Sequence, residues 1–95
     1  MLKWLRRAER DLDEVEVYLA QDNPQAAVKM VLTIISAVER LDTLPGLGRA
    51  GRVEGTRELV VDGTPYIVPY RQKGERIEIL RIYHSARQWP ETFIC

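Results

Sequence analysis

The second half of the chain carries three short β-rich runs separated by turn residues, and this pattern constrains the fold more than any other feature. The runs cover residues 56–61, 66–71 and 76–84, with a Gly-Thr-Pro turn after the first and a Lys-Gly-Glu turn after the second. Short runs of this kind, joined by Gly- and Pro-containing turns, are typical of an antiparallel meander. The sequence therefore predicts a three-stranded antiparallel sheet, and residues 1–5 are a candidate for a further short edge strand.

The first half of the chain has the pattern of two amphipathic helices. The first is predicted over residues 6–21, where apolar side chains recur at helical spacing along one stripe: Ala8, Leu12, Val15 and Leu19. The acidic side chains between them are predicted to form a solvated face: Asp11, Asp13, Glu14 and Glu16. Asn23 is a good N-cap and Pro24 suits a first helical position, so a second helix begins there and stops at Leu44-Pro45-Gly46.

Because the connection between the two helices is short, they are predicted to form an antiparallel hairpin. The predicted fold class is therefore α+β, with the helix hairpin packed on a three- to four-stranded antiparallel sheet. Ninety-five residues are enough for one domain with a single core, so residues 1–95 are predicted to be one domain.

Composition excludes several classes of protein. No apolar run approaches the roughly 20 residues of a membrane span, so no contact with a membrane is expected. The first residues lead straight into a charged helix, which predicts no signal peptide. Cys95 is the one cysteine and cannot form an internal disulfide or a cysteine metal site, so a cytoplasmic protein is expected. The net charge of zero argues against binding nucleic acid through a general positive excess.

The connector between the helices and the sheet matches a dinucleotide-binding fingerprint in its letters, Gly-Leu-Gly-Arg-Ala-Gly. That motif needs a strand before it and a helix after it, so that the helix N-terminus meets the pyrophosphate. Here a helix is predicted before it and a strand after it. The connector is therefore interpreted as a flexible segment that presents Arg49 and Arg52, and no cofactor is predicted.

The sheet itself suggests a partner. Apolar residues alternate onto both faces of the run at residues 76–84, which is typical of a strand covered on both sides, and two helices can cover only one. Pro69 cannot donate to a strand ladder, so its strand is predicted to be an edge strand or to be bulged there. An open edge beside an apolar face invites a segment of another protein.

The candidates for chemistry are Arg57 and Arg71 in the first two runs, and Arg81, Tyr83, His84 and Arg87 at the end of the last run. By strand alternation Arg81 and Tyr83 share a face with Ile77 and Ile79, whereas His84 is predicted to point with Leu80 and Ile82. Histidine can act as a general acid or base at neutral pH, and arginine can stabilise charge that develops on a phosphate. These groups suit attack of an RNA 2′-hydroxyl on its own phosphodiester without a metal ion.

A structural role for the same residues is the alternative. In it, His84 caps the strand with a hydrogen bond, and the arginines pair with acidic residues: Glu54, Glu58 and Glu78. A Ser–His–Asp hydrolase is excluded, because the sequence contains no nucleophile elbow.

The order of these motifs resembles that of the ParE/RelE superfamily of bacterial toxins, over nearly the whole chain. The matching segments are Arg-Ala-Glu-Arg-Asp-Leu in the first helix, Asp-Asn-Pro between the helices, Leu-Pro-Gly-Leu-Gly-Arg in the connector, Thr-Arg-Glu-Leu-Val and Tyr-Ile-Val-Pro-Tyr-Arg in the strands, and Ile-Leu-Arg-Ile-Tyr-His-Ser-Ala-Arg-Gln-Trp-Pro at the end. The resemblance implies the toxin of a type II toxin–antitoxin system, of the kind that stabilises plasmids or arrests growth. A small antitoxin would neutralise it in a hetero-oligomer and would make its contact with DNA.

The superfamily divides by target, and the chain looks more similar to its ParE side, whose members inhibit DNA gyrase. RelE-like members cleave messenger RNA on the ribosome and place an arginine in the middle strand, where this chain has Ile67. They place a tyrosine after the last strand, where this chain has Phe93, so Arg87 alone matches. The resemblance leaves a RelE-like ribosome-dependent endonuclease as an alternative, with His84, Arg81, Arg87 and Tyr83 as its catalytic residues. A degenerate member that binds only its antitoxin is a third reading.

The resemblance and the strand pattern together predict two contact surfaces. The target-binding residues are predicted to be Arg81, Tyr83, Arg87, Trp89 and Phe93, since aromatic residues beside arginine are common in interface hot spots. The antitoxin is predicted to fold on contact over the helix hairpin and the sheet, touching Leu80, Ile82, Pro69 and Arg71. The alternative for Trp89 is that it packs the tail onto the first helix beside Trp4.

Overall fold

In the computed structural model, which describes residues 1–86, Trp89 and Phe93, two helices pack on one face of a mixed sheet of six strands. In chain order the elements are β1 (Leu2–Trp4), α1 (Arg6–Ala20), α2 (Pro24–Glu39), a 3-10 turn (Arg40–Asp42), β2 (Arg49–Ala50), β3 (Arg57–Val60), β4 (Tyr66–Lys73), β5 (Arg76–Ile79) and β6 (Tyr83–His84). The helix hairpin, the meander and the α+β class are confirmed.

The sheet contains more strands than predicted and is not purely antiparallel. Its order is β1-β5-β4-β3-β2, and β6 pairs with β4 beyond the end of β5. The edge strand proposed for residues 1–5 is confirmed, but it runs parallel to β5, with Leu2 opposite Ile77. The connector adds β2, which pairs with β3 through Arg49 and Ala50.

The predicted last strand is interrupted by a bulge. Ile67 pairs with Tyr83, and Tyr70 pairs with Ile79. The two β4 residues are three positions apart in the sequence, whereas their two partners are four positions apart. The extra residue falls between β5 and β6, beside Pro69, whose carbonyl accepts a hydrogen bond from Leu80 N–H at 3.0 Å. The prediction that the strand of Pro69 is an edge strand was wrong, because β4 is central. The irregularity lies instead in the neighbouring strand, opposite Pro69. Proline has no N–H to donate there, so the extra residue leaves no hydrogen bond from Pro69 unmade.

The core lies between the helices and the inner face of the sheet. It is built from buried apolar side chains of both layers, among them Ala8, Ile34, Val38, Leu59, Val68, Tyr70, Ile79 and Ile82. Asn23 caps α2 as predicted, since its side-chain oxygen accepts a hydrogen bond from Ala26 N–H at 3.1 Å. Because Val68 and Tyr70 face the helices, alternation along β4 places Ile67, Pro69 and Arg71 on the opposite, outer face.

Asp11 was wrongly predicted to lie on the solvated face of α1. Only 7% of the residue is exposed, because it follows Ala8 by three positions and points toward the sheet. The other acidic residues of that set, Asp13, Glu14 and Glu16, are exposed as predicted. Among the described residues, no helix is long and apolar enough to cross a bilayer.

Candidate functional site

Tyr83 and His84 follow one another in β6 and therefore lie on opposite faces of the sheet. Tyr83 is paired with Ile67 on the outer face, and His84 is paired with Tyr66 on the face that carries the helices. The prediction that Tyr83 shares a face with Ile77 and Ile79 was wrong, because the bulge shifts the alternation by one residue. His84 and Ile82 do share the helix-facing side, as predicted.

Arg81 is held at the bulge by a buried carboxylate. Its Nε and Nη2 atoms donate to the two oxygens of Asp11 at 2.7 and 3.0 Å, and Ile82 N–H donates to the same carboxylate at 2.9 Å. The hydrogen bonds that the Arg81 guanidinium donates to Asp11 raise its pKa above the ordinary value, against the opposing effect of burial. Only 15% of the Arg81 side chain is exposed, so this arginine joins α1 to the end of the sheet.

A groove lies between α1 and β6, and we call it the α1–β6 groove. It has a volume of about 340 Å³, and its lining residues are Asp11, Glu14, Val15, Tyr18, Tyr66, Ile82 and His84. His84 lies edge-on to Tyr66, with 5.8 Å between ring centroids, and its Nδ1 accepts a hydrogen bond from Ala86 N–H. The structural hydrogen bond that was the alternative role for His84 is therefore present, and in the neutral ring it places the proton on Nε2.

The outer face carries a second group of residues, the aromatic–arginine cluster of Tyr83, Trp89, Phe93 and Arg52. The ring centroids of Trp89 and Phe93 lie 4.9 and 6.2 Å from that of Tyr83. The Arg52 guanidinium carbon stands 3.9 Å over the Trp89 ring. The alternative that Trp89 packs beside Trp4 is wrong, because Trp4 pairs with Ile79 on the helix-facing side of the sheet.

Arg52 and Arg49 are fixed in place by Glu58, a residue that is only 2% exposed. Arg49 donates to this carboxylate at 3.0 Å, and Arg52 donates to it from both its backbone N–H and its side chain. Burial alone would raise the pKa of Glu58, but the hydrogen bonds from Arg52 and Arg49 outweigh it and lower that pKa below 4.5. The predicted structural role paired the candidate arginines with Glu58, but the arginines that bind Glu58 are Arg49 and Arg52 of the connector, which were not among those candidates.

The connector is anchored rather than flexible. The Tyr70 hydroxyl donates to Pro45 O at 2.7 Å and accepts from Gly48 N–H at 2.8 Å. Arg57, one of the candidates for chemistry, donates to Gly48 O at 2.9 Å. Helical residues precede the connector and strands follow it, as predicted, so it lacks the strand–turn–helix context of a dinucleotide site.

The residues predicted to contact the antitoxin are mainly buried within the fold. Leu80 and Ile82 are 2% and 3% exposed, and Pro69 is fully buried. Arg71 keeps 22% of its side chain exposed and pairs with Glu78 at 2.7 Å, a carboxylate that also pairs with Arg76. A partner reaches the first three side chains only by displacing what covers them, so these contacts stay predictions.

Exposed apolar side chains lie elsewhere, mainly on the helices. They are Val17, Tyr18, Val28 and Leu32 on α1 and α2, with Leu44, Leu47 and Val60 near the connector. Val28 and Leu32 are one helical turn apart and therefore share a face of α2. The hydrophobic pattern of the sequence did not single them out, because it identifies stripes that face the core rather than those that face a partner.

Of the predicted site residues, the structure brings Tyr83, Trp89 and Phe93 together, with Arg81 4.8 Å from the Tyr83 ring. It leaves His84 on the other face, and Arg87 lies outside the described residues. Sequence reasoning missed Asp11, Glu58 and Tyr66 as site residues. Within the described part of the chain, no group of three or more His, Cys, Asp or Glu side chains is arranged to hold a metal ion.

Comparison with known proteins gives one consistent result. The family model described as the ParE toxin of the type II toxin–antitoxin system parDE matches residues 2–89. The putative toxin Y4kP of Sinorhizobium fredii is 44% identical over 91 residues, which are 96% of this chain and 94% of that protein. Toxin RelE2 of Caulobacter vibrioides is 37% identical, over 88% of this chain and 93% of its own length.

A solved structure is also similar. A chain of the chromosomal ParDE TA system from P. aeruginosa matches with a TM-score of 0.79 and 38% identity, over 87% of this chain and 92% of that chain.

Proposed function

The chain belongs to the family of ParE toxins of type II toxin–antitoxin systems, and from this premise we propose that it arrests growth by inhibiting DNA gyrase until a cognate antitoxin neutralises it. Gyrase and the alternative target, the ribosome with its messenger RNA, are cytoplasmic, so we place its action there. In this proposal the antitoxin makes the contact with DNA, and the toxin uses no cofactor.

The separation of Tyr83 from His84 carries the preference for gyrase. A general acid and a general base must converge on the same scissile bond, and these two side chains project from opposite faces of β6. Tyr83 is only 2% exposed because Trp89 and Phe93 pack against it, and the Arg81 guanidinium is already hydrogen-bonded to Asp11. A binding surface does not require such convergence, so the arrangement suits a toxin that acts by contact.

The contact surface that we propose for gyrase is the aromatic–arginine cluster. Trp89 and Phe93 keep part of their surface exposed, and Arg52 keeps 46% of its side chain exposed while Glu58 fixes its position. Aromatic and arginine side chains held in place before binding are typical of interface hot spots. Arg81, Tyr83 and Arg87 remain in the proposal as residues that support or extend this surface.

Two assays on the same purified protein test the proposal. We expect inhibition of gyrase-catalysed supercoiling and no cleavage of messenger RNA in a ribosome-dependent assay, with release from inhibition when the antitoxin is added. The antitoxin for this experiment is to be sought as the product of a small gene that adjoins the toxin gene. Cleavage without inhibition of supercoiling would replace gyrase by the ribosome, and inactivity in both assays would indicate a member that binds only its antitoxin.

The RelE-like endonuclease is the second candidate, and two observations favour it. Three Caulobacter vibrioides relatives at 30% to 37% identity carry the name RelE. His84 is also exposed and oriented by a hydrogen bond, as a general acid or base would need to be.

A further inference from the structure

The α1–β6 groove has an uncompensated negative charge. Its two carboxylates are Asp11, which is neutralised by Arg81, and Glu14, which forms no ion pair with any described residue. Glu14 is close enough to act on Arg81, whose pKa it helps to raise, so Asp11, Glu14 and Arg81 together leave one negative charge at the groove. A cationic group entering the groove would therefore meet the Glu14 carboxylate, which has no cationic partner among the described residues.

The aromatic walls of the groove suit the same kind of group. Tyr66 is only 8% exposed, it lines the groove, and its hydroxyl forms no hydrogen bond within the described residues. Burial raises the pKa of that hydroxyl, and nearby Tyr18 raises it further, which places the two phenol groups close together. Tyr18 itself is 69% exposed although it is a large aromatic residue. Aromatic faces beside a carboxylate are a common setting for a guanidinium or ammonium group.

The floor of the groove is apolar, because Val15 and Ile82 form part of it. A volume of about 340 Å³ accommodates one long side chain together with a neighbouring apolar residue. A free cation such as a metal ion would not use the aromatic and apolar walls, so the chemistry matches a peptide side chain better than a small ion.

We infer that the α1–β6 groove receives an arginine side chain of the antitoxin, flanked by an apolar residue, with its guanidinium against Glu14 and the tyrosine rings. This inference rests on the proposed function, in which an antitoxin is the partner, and it adds the location and chemistry of one contact. It places the contact beside the exposed apolar residues Val17 and Tyr18 of α1, where a folding segment finds further surface to cover.

The first experiment needs no antitoxin. N-acetyl-argininamide is titrated into the full-length protein while the ring resonances of Tyr18, Tyr66 and His84 are followed by NMR, with the neutral isostere N-acetyl-citrulline amide as the matched ligand control. We expect saturable shifts with the arginine probe, much smaller shifts with citrulline, and a dissociation constant raised about fivefold by Glu14→Gln, the scale of one partly exposed charge contact.

Glu16→Gln is the matched protein control, because Glu16 is an exposed acid of the same helix that does not line the groove. Equal binding of both probes, or equal effects of the two substitutions, would overturn the inference.

A second experiment measures binding of the antitoxin to the unsubstituted protein, Glu14→Gln and Glu16→Gln, and it separates the groove inference from the proposed function. If the antitoxin binds all three equally, the groove inference fails and the proposed function stands. If the antitoxin does not bind at all while the arginine probe does, the proposed partner and the inferred occupant of the groove are both wrong, although the groove still selects arginine over citrulline.

Discussion

At the scale of single residues, His84 distinguishes a toxin that binds from one that cleaves. If the target is gyrase, we expect His84→Ala to leave growth arrest largely intact, because no proton transfer is involved. Loss of a general acid or base would instead reduce the rate roughly 10²- to 10⁴-fold. Growth after induction, measured without antitoxin and beside Ser85→Ala as an exposed neighbour, gives the result. Abolished toxicity in a variant with an unchanged circular dichroism spectrum would contradict the gyrase proposal.

Asp11 is predicted to matter for stability out of proportion to its size. Only 15% of the Arg81 side chain is exposed, and Asp11→Ala removes the buried carboxylate that pairs with it. The substitution also removes the hydrogen-bond acceptor of Ile82 N–H. Breaking a buried pair in this way costs about 3–5 kcal/mol, and we expect a loss in that range in the free energy of unfolding. Urea denaturation measures it, with exposed Asp13→Ala as the control, for which the change should stay within about 0.5 kcal/mol. A loss below 1 kcal/mol would mean that water replaces the pair.

These residues also show how far sequence reasoning reaches at this scale. The residue types at the end of the last strand, Arg, Tyr and His, could be named as candidates from the sequence, and their role in the site stays a prediction. The direction of Tyr83 relative to Ile77 and Ile79 was predicted wrongly, because one inserted residue between Ile79 and Tyr83 shifts the alternation, and no local signal marks that residue. Asp11 had a signal that was available, since its spacing of three from Ala8 places both on one face of a helix.

At the scale of elements, β2 and β3 are joined by the buried carboxylate of Glu58, and this makes their stability depend on pH. Hydrogen bonds from Arg52 and Arg49 hold the folded-state pKa of Glu58 below its ordinary value of 4.5 in spite of burial. A carboxyl group whose pKa is lower in the folded state stabilises the fold above the unfolded-state pKa. It loses that contribution as the pH falls through the folded-state pKa.

We therefore expect the free energy of unfolding to fall as the pH is lowered below about 4.5, and Glu58→Gln to make that fall shallower. At pH 7 the substitution should cost about 1–3 kcal/mol, the scale of hydrogen bonds to a buried charged group. Urea denaturation at several pH values measures both effects, and exposed Glu54→Gln serves as the control. An unchanged slope in Glu58→Gln would show that Glu78 or another carboxyl group dominates the acid response.

The elements were predictable to the extent that their signals are local. Both helices follow from apolar spacing and from the Asn23 cap, and the strands β3 and β4 follow from their β-branched residues and turns. The pairing of β1 with β5 was not predictable, because it joins residues more than 70 positions apart in a parallel ladder that has no turn to fix its register. The strand β2 was missed for the opposite reason, since its two residues are too few to show a period.

At the scale of the whole molecule, the exposed apolar side chains of α1 and α2 predict a large effect of the antitoxin on stability. A partner that binds only the folded toxin stabilises it by about 2.7 kcal/mol when its concentration is 100 times the dissociation constant. We expect the melting temperature to rise with antitoxin concentration, and the heat capacity change of binding to be negative because apolar surface is buried. Calorimetry measures both, and Leu32→Ser should weaken binding without loss of folding because Leu32 is 58% exposed. A melting temperature that does not depend on the antitoxin would contradict this partnership.

The last prediction concerns the end of the chain, where Trp89 and Phe93 lie against Tyr83 and Arg52. Neither residue belongs to the apolar core that joins the helices to the sheet, so deletion of residues 88–95 should leave a folded protein. We expect the truncated protein to bind the antitoxin through α1 and α2 but to lose toxicity, because the proposed gyrase surface is removed. Circular dichroism, antitoxin binding and growth after induction are measured together.

Full-length Trp89→Ala is the matched variant for this deletion, since it removes one ring of the aromatic–arginine cluster and keeps the chain length. Two results would count against the proposed surface. An unfolded truncated protein would show that the end of the chain is part of the core, and a truncated protein that remains toxic would place the target contact elsewhere. The helices cover one face of the sheet and Trp89 lies on the other, so the proposed antitoxin and gyrase contacts lie on opposite faces. We therefore expect both variants to fold, to bind the antitoxin unchanged and to be less toxic.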